Sequence, residues 1–302
     1  MTEVLIAGFL AATVRVATPL LLAALGELLA ERGGSINLGI EGSMLAGALA
    51  AAMGAVWYGT TAGMVFAVLA GAALAAVFAL ITVKWGADQI IAGTAITLGS
   101  IGLTGAVYRM AFGTGGARLS IPTVSPIDVP LFSKLPLIGP ALFAQPLTTY
   151  IGLALVPALW WFLFRTRAGL QLRATGEDRR AATAAGVNTV MHRVLSLVAG
   201  GMLAGLAGAT LVLAQVGTFA EKMTAGRGFV AVALVVLGRW HPVGALLAAL
   251  LFGAATALQY LFQAMALDVP YQLFIVLPYL LALVGLAGVL GRVKAPGELG
   301  KS

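Results

Sequence analysis

Apolar runs of about 20 residues alternate with short charged or glycine-rich segments along the whole chain. A helix of that length crosses the ~30 Å hydrocarbon layer of a bilayer at about 1.5 Å per residue. The pattern predicts helices at about 4–29, 37–56, 61–83, 89–111, 148–165, 193–216, 227–239, 243–265 and 270–290. The run at 227–239 is the exception. GRGFVAVALVVLGRW holds only about nine uninterrupted apolar residues after Gly228, under the roughly 17 that crossing needs. It reads as a re-entrant or half helix, which a membrane tolerates where the backbone lines a cavity or packs in protein. The opening MTEVLIAGFLAATVRV lacks a basic leader region and reads as the start of the first span. The closing GRVKAPGELGKS reads as a solvated tail. The expected fold is all-α: one polytopic transmembrane helical bundle over residues 1–302, with about 8–10 spans and a re-entrant or broken helix.

Composition sharpens this. The 302 residues are 60% hydrophobic and 10% charged, with a mean hydropathy of +1.00, whereas a soluble domain carries about 25% charge. A membrane β-barrel would show short alternating segments instead. The isoelectric point of about 10.1 raises nucleic acid, but the basic residues sort by side of the membrane. Lys84, Arg165, Arg167, Arg173, Arg179, Arg180, Arg193, Arg239, Arg292 and Lys294 fall on one side with Arg32 and Lys301. Arg109, Arg118, Lys134, Lys222 and Arg227 fall on the other, and Arg15 lies within the first span. Twelve against five places the first group in the cytoplasm and leaves nucleic acid without a role.

Two loops stand out. The outer loop, 113–147, holds Pro122, Pro126, Pro130, Pro136, Pro140 and Pro146 and cannot be one helix. It reads either as a lid or partner surface, or as a plain linker. The inner loop, 166–192, is the most charged stretch. Catalytic signatures are lacking: no GxxxxGK[ST], HExxH or GxSxG occurs, and there is no Cys. His192 and His241 have no second ligand at metal-binding spacing. Asp88, Asp128, Asp178 and Asp268 fall at loop edges. This favours a conduit over an enzyme, with no metal or cofactor on the chain.

Two constellations carry candidate function. In ERGGSINLGIEG, Gly33 and Gly34 permit unusual backbone, and Asn37 suits a helix cap. Glu41 lies about one turn into an apolar span, where an ionisable group is costly and points to function. Gly39, Gly42, Ser43 and Gly47 allow close helix contact. Asn37, Gly39, Glu41 and Ser43 are the candidate substrate pathway. The competing reading makes Glu41 a structural partner of Arg32 or of backbone. In LRATGEDRRAATAAGV, 172–187, Gly176, Glu177 and Asp178 suit a helix start, Ala181, Ala182, Ala184 and Ala185 favour helix, and Gly186 suits its stop. A short cytoplasmic helix of small residues flanked by charge suits insertion into a partner's groove. Among the remaining polar residues within spans, Gln259 and Gln263 share one helix face.

ERGGSINLGIEGSMLAGALAA, LRATGEDRRAATAAGVN and GRGFVAVALVVLGRWHPVGALLAALLFG resemble the membrane subunits of ABC importers, nearest the permeases for nucleosides and simple sugars. Ribose and branched-chain amino-acid permeases are more distant relatives. The resemblance covers nearly the whole chain. It implies that Gly176, Glu177, Asp178, Arg180, Ala181, Ala182, Ala185 and Gly186 form the coupling helix that docks on a cytoplasmic ATPase. The EAAxxxG pattern of many such importers here reads RAAxxxG from Arg180 to Gly186, which leaves the charge pairing of that contact open. It further implies an ATPase pair carrying ATP and Mg, a second homologous permease chain, and an extracytoplasmic solute-binding lipoprotein. The setting would be the bacterial cytoplasmic membrane. The expected function is nucleoside import by alternating access. The alternatives are import of a simple sugar such as ribose, an ion-coupled carrier using Glu41 or Arg15, and a membrane scaffold.

Overall fold

The structure, a computed structural model, describes residues 2–113, 121–128, 138–264 and 294–301, with Val276 and Leu280. The expected span at 270–290 and the basic residues Arg118, Lys134 and Arg292 lie outside the described residues. The helices are α1 (Thr2–Arg32), α2 (Ile40–Tyr58), α3 (Thr60–Ala79), α4 (Gln89–Phe112), α5 (Ile138–Leu142), α6 (Leu147–Arg165), α7 (Arg167–Glu177), α8 (Arg179–Ala184), α9 (Thr189–Thr210), α10 (Arg227–Leu237) and α11 (Pro242–Ala264). π-helical turns extend α3 through Leu80–Lys84 and α9 through Leu211–Val216. In the outer loop, Ile127–Asp128 and Ala144–Gln145 make a two-residue antiparallel pairing.

Seven of the described helices are long and apolar enough to cross a membrane: α1, α2, α3, α4, α6, α9 and α11. The chain is a multi-pass helical membrane protein. In α2 and α9, 72% of the membrane-length window is buried, against 28–39% in the other five. These two helices are therefore the centre, and the outer helices turn Leu69, Leu98, Leu103 and Leu247 outward. Apolar side chains cannot drive that arrangement inside lipid, because the lipid tails are equally apolar. Close backbone contact does. A Cβ on Gly47 would sit 2.5 Å from the Cα of Gly205, and one on Gly26 would sit 2.6 Å from the carbonyl oxygen of Gly200. The small residues of α2 and α9 thus let backbones touch and multiply dispersion contacts.

Four local expectations change. Asn37 does not cap α2: Gly39 holds the N-cap position with no side-chain bond, and Asn37 contributes only its carbonyl, to the Ile40 amide. The stretch 176–186 is not one helix, because Asp178 in extended backbone separates α7 from α8 and accepts from the Ala181 amide at 3.0 Å. Gly176 therefore ends a helix rather than starting one. Finally, residues 294–301 are not a free tail: Pro296 is buried and the Glu298 amide bonds the Gly176 carbonyl at 2.9 Å. Gly186, by contrast, has φ +83°, as a helix stop requires.

Gly205→Leu should lower the melting temperature of the detergent-purified protein by the equivalent of about 1–3 kcal/mol or more, as overpacking does. Gly99→Ala, where an added Cβ meets nothing within 4 Å, should leave it unchanged.

Candidate functional site

The short run read from the sequence is a half helix. The 11 residues of α10 cover about 16 Å, roughly half of a ~30 Å apolar layer. Its C-terminal end reaches the inner end of α1. There the Trp240 indole donates to Glu31, and Arg32 Nε donates to the Trp240 carbonyl at 2.8 Å. The N-terminus of α10 therefore lies near mid-membrane. A helix start carries unpaired N–H groups and a positive dipole end, and at that depth water does not serve them.

Glu41 does. Its Oε1 accepts from the Thr224 hydroxyl at 2.6 Å and the Gly226 amide at 2.8 Å, and its Oε2 accepts from the Gly228 amide at 2.6 Å. The residue is 5% exposed. A Cβ on Gly228 would lie 2.6 Å from the Glu41 backbone, so glycine there is what lets α10 sit on α2. The expected alternative partner, Arg32, is engaged elsewhere. Arg227, placed on the outer side by the sequence pattern, opens this buried helix, and its guanidinium turns back to the Met223 carbonyl at 2.9 Å.

The segment 217–226 joins the outer end of α9 to this buried start. Lys222 and Ala225 hold positive φ, 59° and 48°, a conformation costing non-glycine residues of order 1–3 kcal/mol each. The segment is pinned at both ends: Glu41 below, and above an Arg109–Glu221 ion pair at 2.6 Å with both side chains about half exposed. Phe219 of this segment packs against Tyr108 of α4 at a tilt, with ring centroids 5.1 Å apart. From the outer loop, the Ile121 and Val124 amides bond the Gly217 and Leu213 carbonyls. Neither Arg109 nor Glu221 was singled out in the sequence, where each reads as an ordinary loop-edge charge.

The other pathway candidates lie on the same segment but face elsewhere. Residues 33–39 climb from the end of α1 between α1 and α4. The Asn37 amide N–H bonds Glu27 Oε1 at 2.8 Å, and the Thr97 hydroxyl bonds the Leu38 carbonyl at 3.0 Å. Asn37 is 1% exposed, and its side-chain amide has no hydrogen-bond partner among the described residues. Gly39 packs against Ile96, and Ser43 is buried. Glu27 is fully buried and was missed by the sequence reading. Its signal was the four-residue spacing to Glu31, which puts both carboxylates on one face of an apolar helix.

At the inner face, Glu177, Asp178, Arg180, Ala181, Ala185 and Gly186 are exposed, while Gly176 and Ala182 are buried and seat the pair α7–α8. A Cβ on Gly176 would lie 3.0 Å from the Gly34 amide nitrogen, so α7 rests backbone to backbone on the turn after α1. A cleft of about 620 Å³ opens beside it, lined by Glu177, Asp178, Arg179, Arg180, Gly297, Glu298 and Lys301. Nearby, the Arg173 guanidinium lies over Phe164 at 4.9 Å, and His241 stacks on the same ring at 5.3 Å. Burial, and then the charge of Arg32, hold the His241 imidazole below its ordinary pKa range. Among the described residues no group of acids and histidines is arranged to hold a metal ion.

Residues 9–286 match the family described as branched-chain amino acid transport system / permease component. The chain is 42% identical over 270 residues to a putative glucose ABC transporter permease protein of Haloferax volcanii, covering 86% of this chain and 79% of that one. It is 32% identical over 295 residues to a guanosine ABC transporter permease protein of Bacillus subtilis, covering 94% and 92%. It is 33% identical over 292 residues to a nucleoside ABC transporter permease protein of Lactococcus lactis, covering 92% and 91%. No solved structure matches it.

Glu41→Gln removes the charge that faces the α10 dipole and turns an amide donor toward backbone donors. Hydrogen exchange at the Gly226 and Gly228 amides should accelerate about tenfold or more, the equivalent of losing roughly 1.4 kcal/mol. Unchanged exchange at both amides would remove the clamp.

Proposed function

Since the chain belongs to the branched-chain amino acid transport permease family, and is thus a membrane subunit of ABC transport rather than an enzyme, we propose that it imports nucleosides by alternating access. The observation that carries the cargo is the likeness to guanosine and nucleoside permeases over more than nine-tenths of both chains. The 42% likeness to the glucose permease favours a second reading, a simple sugar, and both cargo classes share a hydroxylated sugar ring.

In this reading ATP and Mg belong to a pair of cytoplasmic ATPases. A second, homologous permease chain completes the pathway, and an extracytoplasmic lipoprotein delivers solute to the outer loop. The setting is the cytoplasmic membrane of a bacterium. α8 is the coupling helix. Its exposed residues Arg180 and Ala181, with Glu177 at the end of α7 and the flanking Asp178, Ala185 and Gly186, enter the ATPase groove, and Gly176 and Ala182 hold the pair to the bundle. Within the pathway, Glu41 acts as a positioning residue that holds the half helix. Asn37, Gly39 and Ser43 line the segment that moves when the inner end of α1 shifts. The unpartnered Asn37 amide is the group free to meet a sugar hydroxyl once that segment opens.

Coexpression with a cognate ATPase, second permease and binding protein should yield uptake of labelled guanosine or adenosine that a hydrolysis-dead ATPase abolishes. Uptake of glucose or ribose alone would change the cargo, and uptake indifferent to the ATPase would sink the importer.

Gly186 sits at φ +83°, where a Cβ is strained, and it is exposed at the end of α8. Gly186→Asp should cut ATP-driven uptake by about tenfold with membrane insertion intact, a strain of order 1–3 kcal/mol acting at the docking helix. Normal uptake in that variant would argue against α8 as the coupling helix.

A further inference from the structure

Residues 294–301 make more contacts than a tail needs. Three donors from three elements converge on the Lys301 backbone carbonyl: Gln89 Nε2 at the start of α4 at 3.0 Å, Arg179 Nη2 of α8 at 3.0 Å, and Arg193 Nη2 of α9 at 3.2 Å. Two of the three are guanidinium groups, so these bonds are charge-assisted. The Glu298 amide bonds the Gly176 carbonyl at 2.9 Å, satisfying one of the carbonyls that the end of α7 leaves open. The Glu298 carboxylate lies 3.8 Å from Arg179 Nε and 3.4 Å from Lys301 Nζ.

The same donors hold the turn after α1. Arg193 is 3% exposed, and its Nε donates to the Ser35 hydroxyl at 3.1 Å while its other arm reaches Lys301. Gln89 accepts from the Ile36 amide at 2.7 Å through Oε1 and donates to Lys301 through Nε2. A Cβ on Gly34 would meet the Glu298 side chain at 3.2 Å and the Gly176 Cα at 3.3 Å. Gly34, α7 and the 294–301 segment are thus packed without clearance. From Ser35 and Ile36 the chain runs directly to Asn37, bound to Glu27, and to Glu41, bound to the buried end of α10.

We propose that residues 294–301 are a coupling strap, with Arg193 its positioning residue, that ties the α7–α8 docking helices to the 33–41 segment and so passes ATPase motion to the half helix. This rests on the importer reading above. α7 already rests on Gly34, but α8, set off from α7 by the extended Asp178, can tilt without moving 33–36 unless something else ties it to them. The strap removes that freedom, because α8 and Ser35 share the Lys301 carbonyl through Arg179 and Arg193. The 620 Å³ charged cleft between strap and α8 lies on the same face, so an ATPase seated on α8 also presses on the strap.

The test uses the assembled transporter in proteoliposomes, with the chain either stopped after Val293 or carrying Arg193→Lys. Lysine keeps the charge and loses the fork that spans two acceptors. Capture of the ATPase and ATP hydrolysis should persist in both variants. Labelled guanosine or glucose moved per ATP hydrolysed should fall about tenfold, a coupling loss of ordinary allosteric size. A variant that docks its ATPase and moves as much solute per ATP as wild type overturns the strap. Should truncation prevent assembly, Arg193→Lys carries the same two outcomes by itself. A wild-type chain that captures no ATPase overturns the importer reading and the strap together.

Discussion

A carboxylate at the middle of a membrane holds the N-terminus of a helix that does not cross it. Glu41 of α2 accepts from Thr224, Gly226 and Gly228, and much else follows from that one contact. Lipid offers no partner for an unpaired amide, so a broken helix survives only where protein supplies one. A charged acceptor suits the positive end of the helix dipole better than a neutral one. The same contact holds Lys222 and Ala225 in backbone they would not otherwise adopt. Remove the carboxylate, and both the helix start and the loop above it lose their reason to stay.

The half helix in turn requires a scaffold that brings α2 against it without a gap. Small residues perform that task. Gly228 admits α10 onto Glu41, and Gly47 with Gly205 brings α2 against α9. Hydrophobicity keeps these helices in the membrane but does not choose their neighbours, because every lipid-facing surface is equally content. Close backbone approach chooses them, and it does so at particular residues rather than along whole faces. The outer helices, which turn more of their surface outward, are free to carry leucine, isoleucine and valine where α2 and α9 carry glycine and alanine.

At the inner face the logic is polar. α7 rests on Gly34, α8 is set off from α7 by the extended Asp178, and buried Arg193 bridges Ser35 and Lys301. Buried charge without a carboxylate in contact is costly unless its N–H groups find acceptors. Here the Ser35 hydroxyl and the Lys301 carbonyl supply them, and the second of these bonds ties 294–301 to α9. The inner-face helices and the Glu41 clamp are therefore joined by nine residues, 33–41, whose turns are held by contacts with Gly176, Glu27 and Thr97.

The amino-acid sequence by itself determined the helical class, most of the spans, the shortness of 227–239 and the oddness of Glu41. It also determined the exposed small-residue helix at the inner face. These are local properties: apolar length, charge and helix propensity are written in neighbouring residues. Resemblance added the family, because ERGGSINLGIEG and LRATGEDRRAATAAGVN are distinctive as strings. The tertiary structure alone decided what Glu41 touches, since its partners lie 183 to 187 residues away in the chain. It alone decided that Asn37 is no cap, that Glu27 meets it, that Asp178 splits the inner helix, and that GELGK docks instead of trailing in solvent. For Glu41 and Glu27, both buried, the physical reason is the same. A polar group in a dry bundle must find a partner, and the partner is set by which helices glycine allows to touch, a register that no single helix carries in its own sequence.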